Sequence, residues 1–192
     1  DWEQAVVLKA QFQQEESPGK GLQTLRDYVT AHPDAREPRI SLARLLVAAR
    51  QFGPARDEFE ELVRRAPDDR DVVHAAGLLA MQLGDGAAAE KHFKRLIELG
   101  FAEPDTLRMY LGQIAEDAKR FDGAIGWYKA VAPGKQFVPA QGRIAQVLVN
   151  RGRLAEARLH LQSAAREAPA DRVSYILAEA QILRDANRNE DA

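Results

Sequence analysis

A small residue returns along the chain at intervals of about 34 residues. Each copy lies in an amphipathic stretch, and successive intervals measure 34, 34, 35, 33 and 35 residues. The copies are Gly21, Ala55, Ala89, Ala124, Ala157 and Ala192. Four residues after each of the first five comes a bulky apolar side chain, namely Leu25, Phe59, Phe93, Tyr128 and Leu161. A fixed period of this length predicts a chain built from stacked copies of one small structural unit.

Most units also hold a second small residue, which precedes the periodic one. These residues are Ala43, Gly77, Gly112, Ala145 and Ala180. Three residues further on stands Leu46, Ala80, Ala115, Leu148 or Leu183. Because residues three apart lie on one face of a helix, each unit predicts two amphipathic helices of about 12 to 15 residues. No stretch shows the alternation of a strand, so we expect an all-α fold.

Turn-forming residues separate the predicted helices. Ser17-Pro18 and Gly53-Pro54 place a capping residue and a proline at the start of a second helix. Gly84-Asp85 and Asn150-Arg151-Gly152 break the chain between the two helices of a unit. We interpret residues 1–192 as a single solenoid fragment with repeats at about 2–35, 36–69, 70–104, 105–137 and 138–172, and an incomplete copy at 173–192.

The pattern resembles the tetratricopeptide repeat family, whose units carry Leu-Gly-x2-Tyr, then Ala-x3-Phe, then Pro. The cleanest copy consists of Leu42-Ala43, Leu46, Phe52, Ala55, Phe59 and Pro67. The resemblance implies an α-solenoid of helix-turn-helix repeats that forms a right-handed superhelix with a concave inner wall. Two features depart from the family pattern. The early Trp is replaced by Val73, Arg108 and Gln141, and the first copy has Lys9 and Gly21 at its small positions.

Composition excludes several classes of function. Lys and Arg number 27 against 29 Asp and Glu, which removes the basic excess of a general nucleic-acid binder. The absence of Cys excludes disulfides, zinc–thiolate sites and cysteine nucleophiles. The apolar runs are far shorter than the roughly 18 to 20 residues that cross a bilayer, so we expect no membrane insertion of this segment.

No pattern of residues predicts catalysis, a metal site or a cofactor. The four His fall in different repeats, and no pair has the spacing of a helix-borne zinc site. We expect His32, His92 and His160 to be partly exposed surface residues. Adjacent carboxylates such as Glu60-Glu61 point in different directions on a helix and cannot act as an acid/base pair. We therefore predict that the protein is not an enzyme.

The candidate binding surface is the inner wall that the first helix of each unit would form. Soft apolar and aromatic side chains there can accept apolar groups of a partner, and Gln113, Gln146 and Gln181 can pair with the backbone of an extended peptide. The candidates are Arg44, His74, Leu78, Met81, Met109, Tyr110, Gln113, Arg143, Gln146, Asn150, Gln181 and Arg184. The alternative is that the groove binds no partner and its polar side chains are only hydrated. Family members that grip a carboxy-terminal carboxylate use Lys and Asn at matching positions, and this chain has neither there.

Two functions follow as expectations. The first is a non-enzymatic scaffold or adaptor that binds another protein or peptide along the groove, and the alternative is an assembly protein that oligomerises through its repeat ends. A second, weaker resemblance refines the first expectation. The segment 110–116, with Phe121, Ala124, Tyr128, Gly134, Phe137 and Ala140, is similar to envelope lipoproteins that serve as adaptors of a carboxyl-terminal processing protease. This resemblance implies a bacterial periplasmic or outer-membrane-anchored protein and a periplasmic protease as partner, and the alternative compartment is the cytoplasm.

Overall fold

The computed structural model describes residues 2–17 and 19–190, and it leaves the side chains of residues 187–190 undescribed. Over this part of the chain the structure is helical, with a short 3₁₀ turn, Pro169–Asp171, before the last helix and no strand. The helices are α1 Trp2–Glu16, α2 Lys20–Ala31, α3 Arg36–Ala48, α4 Phe52–Arg65, α5 Arg70–Gln82, α6 Gly86–Glu98, α7 Pro104–Asp117, α8 Phe121–Lys129, α9 Phe137–Asn150, α10 Leu154–Glu167 and α11 Arg172–Glu190. None of the described helices combines the length and apolar character that a transmembrane helix needs.

The chain divides into two compact units, Asp1–Leu99 and Gly100–Ala192. Unit 1 holds three helical hairpins, and unit 2 holds two hairpins followed by α11. In each unit the second helix of one hairpin packs on the first helix of the next, as α4 packs on α5 and α8 on α9. The predicted all-α solenoid architecture of helical hairpins is confirmed by this stacking. A single solenoid over residues 1–192 with the repeat boundaries given above stays a prediction.

The periodic small residues mark the places where paired helices approach each other most closely. A Cβ added at Gly77 would lie 2.6 Å from Cε1 of Phe93. The small residue of one helix thus makes room for the aromatic ring of its partner, and both residues are buried. Ala55 and Ala124 are likewise fully buried. In the interior hairpins these positions therefore carry the close packing of paired helices.

At α1 and α11 the residues found by counting do not carry the packing. On α1 the residue that meets Gly21 is Ala10, which is fully buried, whereas Lys9 is exposed. On α11 the expected small packing residue, Ala180, is exposed, and Tyr175 and Ile182 are buried in its place. Within the described residues, α1 packs chiefly on α2 and α3, and α11 packs chiefly on α9, α10 and the 3₁₀ turn, so the rotation of each helix is less constrained there.

Helix starts are set by caps that the sequence identified in part. Asp69 and Asp85 cap α5 and α6, and their side chains accept hydrogen bonds from the backbone N–H groups of Val72 at 3.2 Å and Ala88 at 3.0 Å. Gly53-Pro54, by contrast, lies inside α4, since that helix already begins at Phe52. Ser17 is a bend, and Pro18 lies outside the described residues.

Candidate protein-binding surface

The candidate residues of unit 1 lie on the side of α3 and α5 that the core leaves uncovered. The twelve candidate residues lie on the first helices of the hairpins, α3, α5, α7 and α9, and on α11. We call this set the first-helix stripe. On α5, Val73, Ala76 and Ala80 are buried, while Leu78 is 39% exposed. His74 and Met81 flank Leu78 at helical spacing and are half-buried, and Arg44 on α3 is exposed. The helix therefore presents an accessible apolar strip beside its packing face.

In unit 2 the first helix, α7, repeats this arrangement. Leu111, Ile114 and Ala115 are buried, whereas Gln113 is exposed between them. Met109 is half-buried and packs against the core cluster of unit 2. Tyr110, the next residue in the chain, is also half-buried. Gln113 makes no hydrogen bond with any residue that the structure describes, so its amide is available to a partner.

Arg143 on α9 is held by charge rather than presented freely. Its Nε lies 3.6 Å from Oε1 of Glu116 on α7. The same Glu116 oxygen accepts a hydrogen bond from the hydroxyl of Tyr128. Burial, and next the bond to Glu116, raise the pKa of Tyr128 well above its ordinary value, so the hydroxyl stays protonated. Glu116 compensates the charge of Arg143, so this side chain offers little attraction to an acidic partner.

The three glutamines that recur in sequence differ in structure. Gln146 donates from Nε2 to Oδ1 of Asn150 at 3.1 Å. Gln181 donates to Asp185 at 2.8 Å and accepts from Arg184 at 2.6 Å, which engages both ends of its amide. Among the three, Gln113 alone keeps its amide unpaired within the described part of the chain.

A charged cleft on the second helices of unit 1 was not anticipated from the sequence. It lies between α4 and α6, has a volume of about 860 Å³, and none of the first-helix stripe lines it. Its walls carry both signs of charge, from Asp57, Glu60, Glu61, Arg64, Lys91, Lys94, Arg95 and Glu98. Glu61 accepts hydrogen bonds from Arg64 and Arg65, which lower its pKa to about 2.

His92 lies at the floor of this cleft. The expectation that it is a partly exposed surface residue is wrong. His92 is only 2% exposed, and its Nε2 lies 2.8 Å from Oε1 of Glu60. The side chain is covered because it projects from α6 toward α4. His32 is exposed, as expected, and His160 is half-buried. The described residues contain no cluster of three or more His, Asp or Glu side chains arranged to hold a metal ion.

Comparison with protein families supports the tetratricopeptide repeat resemblance. The family model described as a tetratricopeptide repeat matches residues 74–139. The TPR repeat-containing protein PA4667 of Pseudomonas aeruginosa is 36% identical over 88 residues, which is 46% of this chain. The chain spans only 15% of the length of that relative. The weaker resemblance to envelope lipoproteins stays a prediction.

Solved structures show the same fold at low sequence identity. The crystal structure of MamA protein matches with a TM-score of 0.67 at 16% identity and covers 88% of this chain and 91% of its own. MamA from Desulfovibrio magneticus RS-1 matches at 0.65 and 11% identity, over 88% of this chain and 97% of its own. YrrB, described as a TPR protein with an unusual peptide-binding site, matches at 0.56 and 17% identity, over 84% and 90%. These likenesses establish the helical-repeat fold and nothing about the partner.

Proposed function

We propose that the protein is a non-enzymatic scaffold that binds a partner polypeptide along the first-helix stripe. The observation that carries the proposal is the exposure of Leu78 and Gln113 beside a buried packing face on α5 and α7. An apolar side chain and an unpaired amide are the two kinds of group that bind an extended peptide, through its side chains and its backbone. Binding to peptides is also the property that the description of YrrB records for that protein.

The mechanism is positioning by a preformed surface. The stripe residues lie on helices whose opposite faces are fixed by close contacts such as that of Gly77 with Phe93. Within each unit, ordering entropy on binding is therefore lost mainly by the partner, because the helices of that unit are already in place. A surface of this kind holds and presents a partner without changing it chemically.

Site-specific photo-crosslinking tests the proposal. A photoreactive phenylalanine derivative is introduced at Leu78 or Gln113 and, as matched controls, at the exposed second-helix positions Lys94 and Gly126. We expect the same adduct from both stripe positions and none from the controls. Adducts from Lys94 and Gly126 alone would place the partner on the second helices and contradict the proposal.

We also propose a narrower role as an envelope adaptor of a carboxyl-terminal processing protease, with a location in the periplasm or at the outer membrane. The support is the resemblance of the segment 110–116 and the residues that follow it. Reconstitution of the protease with and without this protein tests the role directly. We expect faster cleavage of a protein substrate in its presence, and an unchanged rate would reject the adaptor role while leaving the scaffold proposal standing.

Self-association through the ends is a second candidate function. Large apolar side chains are exposed on α1 and on α11, where Phe12 is 67% and Leu177 is 64% exposed. Trp2 and Leu8 accompany Phe12, and Val173 and Ile176 accompany Leu177. Because exposed apolar patches mark contact surfaces, these two ends favour an assembly of several copies. Sedimentation velocity over a range of protein concentrations tests this candidate.

A further inference from the structure

A cavity in unit 2 lies apart from the first-helix stripe. It has a volume of about 440 Å³ and is formed by α9, α10, the loop before α9 and the turn after α10. None of the stripe residues lines it. The side chains that give it chemical character are Phe137, Gln141, His160, Ser163, Glu167 and Asp171.

Gln141 is a buried amide whose hydrogen-bonding capacity is unused. It is 8% exposed, and its side chain makes no hydrogen bond with any residue that the structure describes. Neither polar atom of this amide is among the fully enclosed unpartnered atoms. Both therefore reach the open space of the cavity, where a ligand can pair with them. In the sequence, Gln141 stands where the tetratricopeptide repeat pattern has Trp. Trp is a larger side chain and would fill more of this space.

His160 also lines the cavity, but its unpartnered nitrogen is enclosed. Its Nε2 is buried and has no hydrogen-bond partner. Burial, and next the charge of Lys129, lower the pKa of His160, so its ring is uncharged at neutral pH. Ser163, by contrast, donates to Oε1 of Glu167 at 2.9 Å and is already satisfied.

The corresponding histidine of unit 1 is satisfied by the chain itself. His92 and His160 each stand three residues after a periodic alanine, and Glu60 and Lys129 each stand five residues after one in the preceding repeat. His92 has Glu60 as its hydrogen-bond partner at 2.8 Å. Lys129 cannot accept a hydrogen bond, which leaves the ring of His160 without the partner that His92 has.

The charge of the lining selects the ligand. Two carboxylates, Glu167 and Asp171, line the cavity, and no basic side chain does. Gln141 Oε1 adds a neutral acceptor, whereas Nε2 of His160 is enclosed and does not reach the open space of the cavity. Phe137 is half-buried at the wall and offers a surface for an aliphatic stem or a planar cation. Several acceptors spread around one space match a guanidinium, which has five donors in a fixed plane.

We propose that this cavity binds an arginine side chain of a partner polypeptide. The proposal deepens the scaffold function, on which it rests, since it supplies a second anchoring point away from the first-helix stripe. Lys129 does not line the cavity. Its charge lowers the pKa of His160 and also repels a cation there, so Glu167 and Asp171 must outweigh it.

Titration with short peptides tests the arginine site without the natural partner. The probes are capped pentapeptides of alanine with arginine, citrulline or glutamate at the centre, and the readouts are the NMR signals of the Gln141 amide and the His160 ring. We expect the arginine peptide to shift both signals at millimolar concentration and the uncharged citrulline peptide to bind about tenfold more weakly. Equal or tighter binding of the citrulline or glutamate peptide, or no shift of either signal, would overturn the proposal.

Variants separate this site from the first-helix stripe. The double variant Glu167→Gln/Asp171→Asn should weaken the arginine peptide about tenfold. Gln141→Leu keeps the side-chain volume and should weaken it several-fold, whereas the stripe variant Gln113→Ala should leave it unchanged. If Gln113→Ala weakened the peptide as much as Gln141→Leu, the arginine site would be refuted. Failure of the photo-crosslinking test would instead refute the stripe, so the two failures are distinguishable.

Discussion

The ring of Tyr128 on α8 lies directly against Gly112 on α7. A Cβ built at Gly112 would lie 2.3 Å from Cε1 and 2.5 Å from Cζ of that ring, closer than any real Cβ contact. The absence of a side chain at one helix thus provides the space that the aromatic ring of its neighbour fills. The periodic small and bulky residues in the sequence therefore correspond to a direct contact between paired helices.

Gly112→Ala is expected to destabilise unit 2. The added methyl must displace a buried aromatic ring, which lowers the free energy of unfolding by about 1 to 3 kcal/mol. Trp127 fluorescence in urea reports on this unit once the second tryptophan of the chain is removed by Trp2→Phe. Gly126→Ala on the adjacent helix is the control, because its Cβ would meet open space. We expect the control to stabilise by about 0.5 to 1 kcal/mol, and equal effects of the two substitutions would refute the packing.

Glu60→Ala is expected to destabilise unit 1 through His92. The substitution leaves the buried Nε2 of His92 without its partner, which costs about 1 to 3 kcal/mol. Asp57→Ala, which removes only an exposed pair with Arg56, should change stability by less than about 1 kcal/mol. Urea denaturation of both variants measures the difference. If Asp57→Ala lowered the free energy of unfolding as much as Glu60→Ala, the hydrogen bond between His92 and Glu60 would contribute no more than an exposed ion pair.

Glu61 is expected to make part of the stability of unit 1 depend on acid pH. Its folded-state pKa of about 2 is below the ordinary 4.5, so its contribution is present above pH 4.5 and is lost as the pH falls toward 2. Because Arg64 and Arg65 are solvent-accessible, Glu61→Gln should cost only about 0.5 kcal/mol at pH 7. Urea curves at several pH values should show wild type and variant converging in acid, and a difference that persists there would contradict the assignment.

Exposed apolar residues at the two ends predict weak self-association. We expect the sedimentation coefficient to rise between micromolar and submillimolar protein. Phe12→Glu or Leu177→Glu should suppress that rise, because each places a charge in the contact. Leu159→Glu is a suitable control, since Leu159 is an equally exposed leucine on α10. If the coefficient does not change with concentration, or if only Leu159→Glu changes it, association through the ends is excluded.

The interior packing could be predicted from the sequence because the small and bulky residues that recur with the period are the ones that meet between paired helices. Gly77 and Gly112 stand one period apart, and both meet an aromatic ring four residues after the following periodic alanine. The ends were predicted less well. Lys9 and Ala180 occupy the right positions by counting. Within the described residues, however, α1 and α11 pack chiefly on helices of their own unit, so the count alone does not fix which residue faces inward.

The polar contacts were beyond the reach of the sequence. Glu60 and His92 are 32 residues apart, and whether they meet depends on the rotation of α4 against α6. The cavity at Gln141 likewise requires knowledge of how much space the loop before α9 leaves open. Even the recurring Gln113 and Gln181 differ once local partners such as Asp185 are placed.

The most direct test of the central claim is the affinity of the crosslinked partner for Leu78→Ala/Gln113→Ala. Both residues are exposed, so the double variant should keep its helical circular dichroism and its urea midpoint. Isothermal titration calorimetry should then show a loss of about 2 kcal/mol, or roughly 30-fold in Kd. Unchanged affinity in the folded double variant would contradict the claim that the first-helix stripe binds the partner.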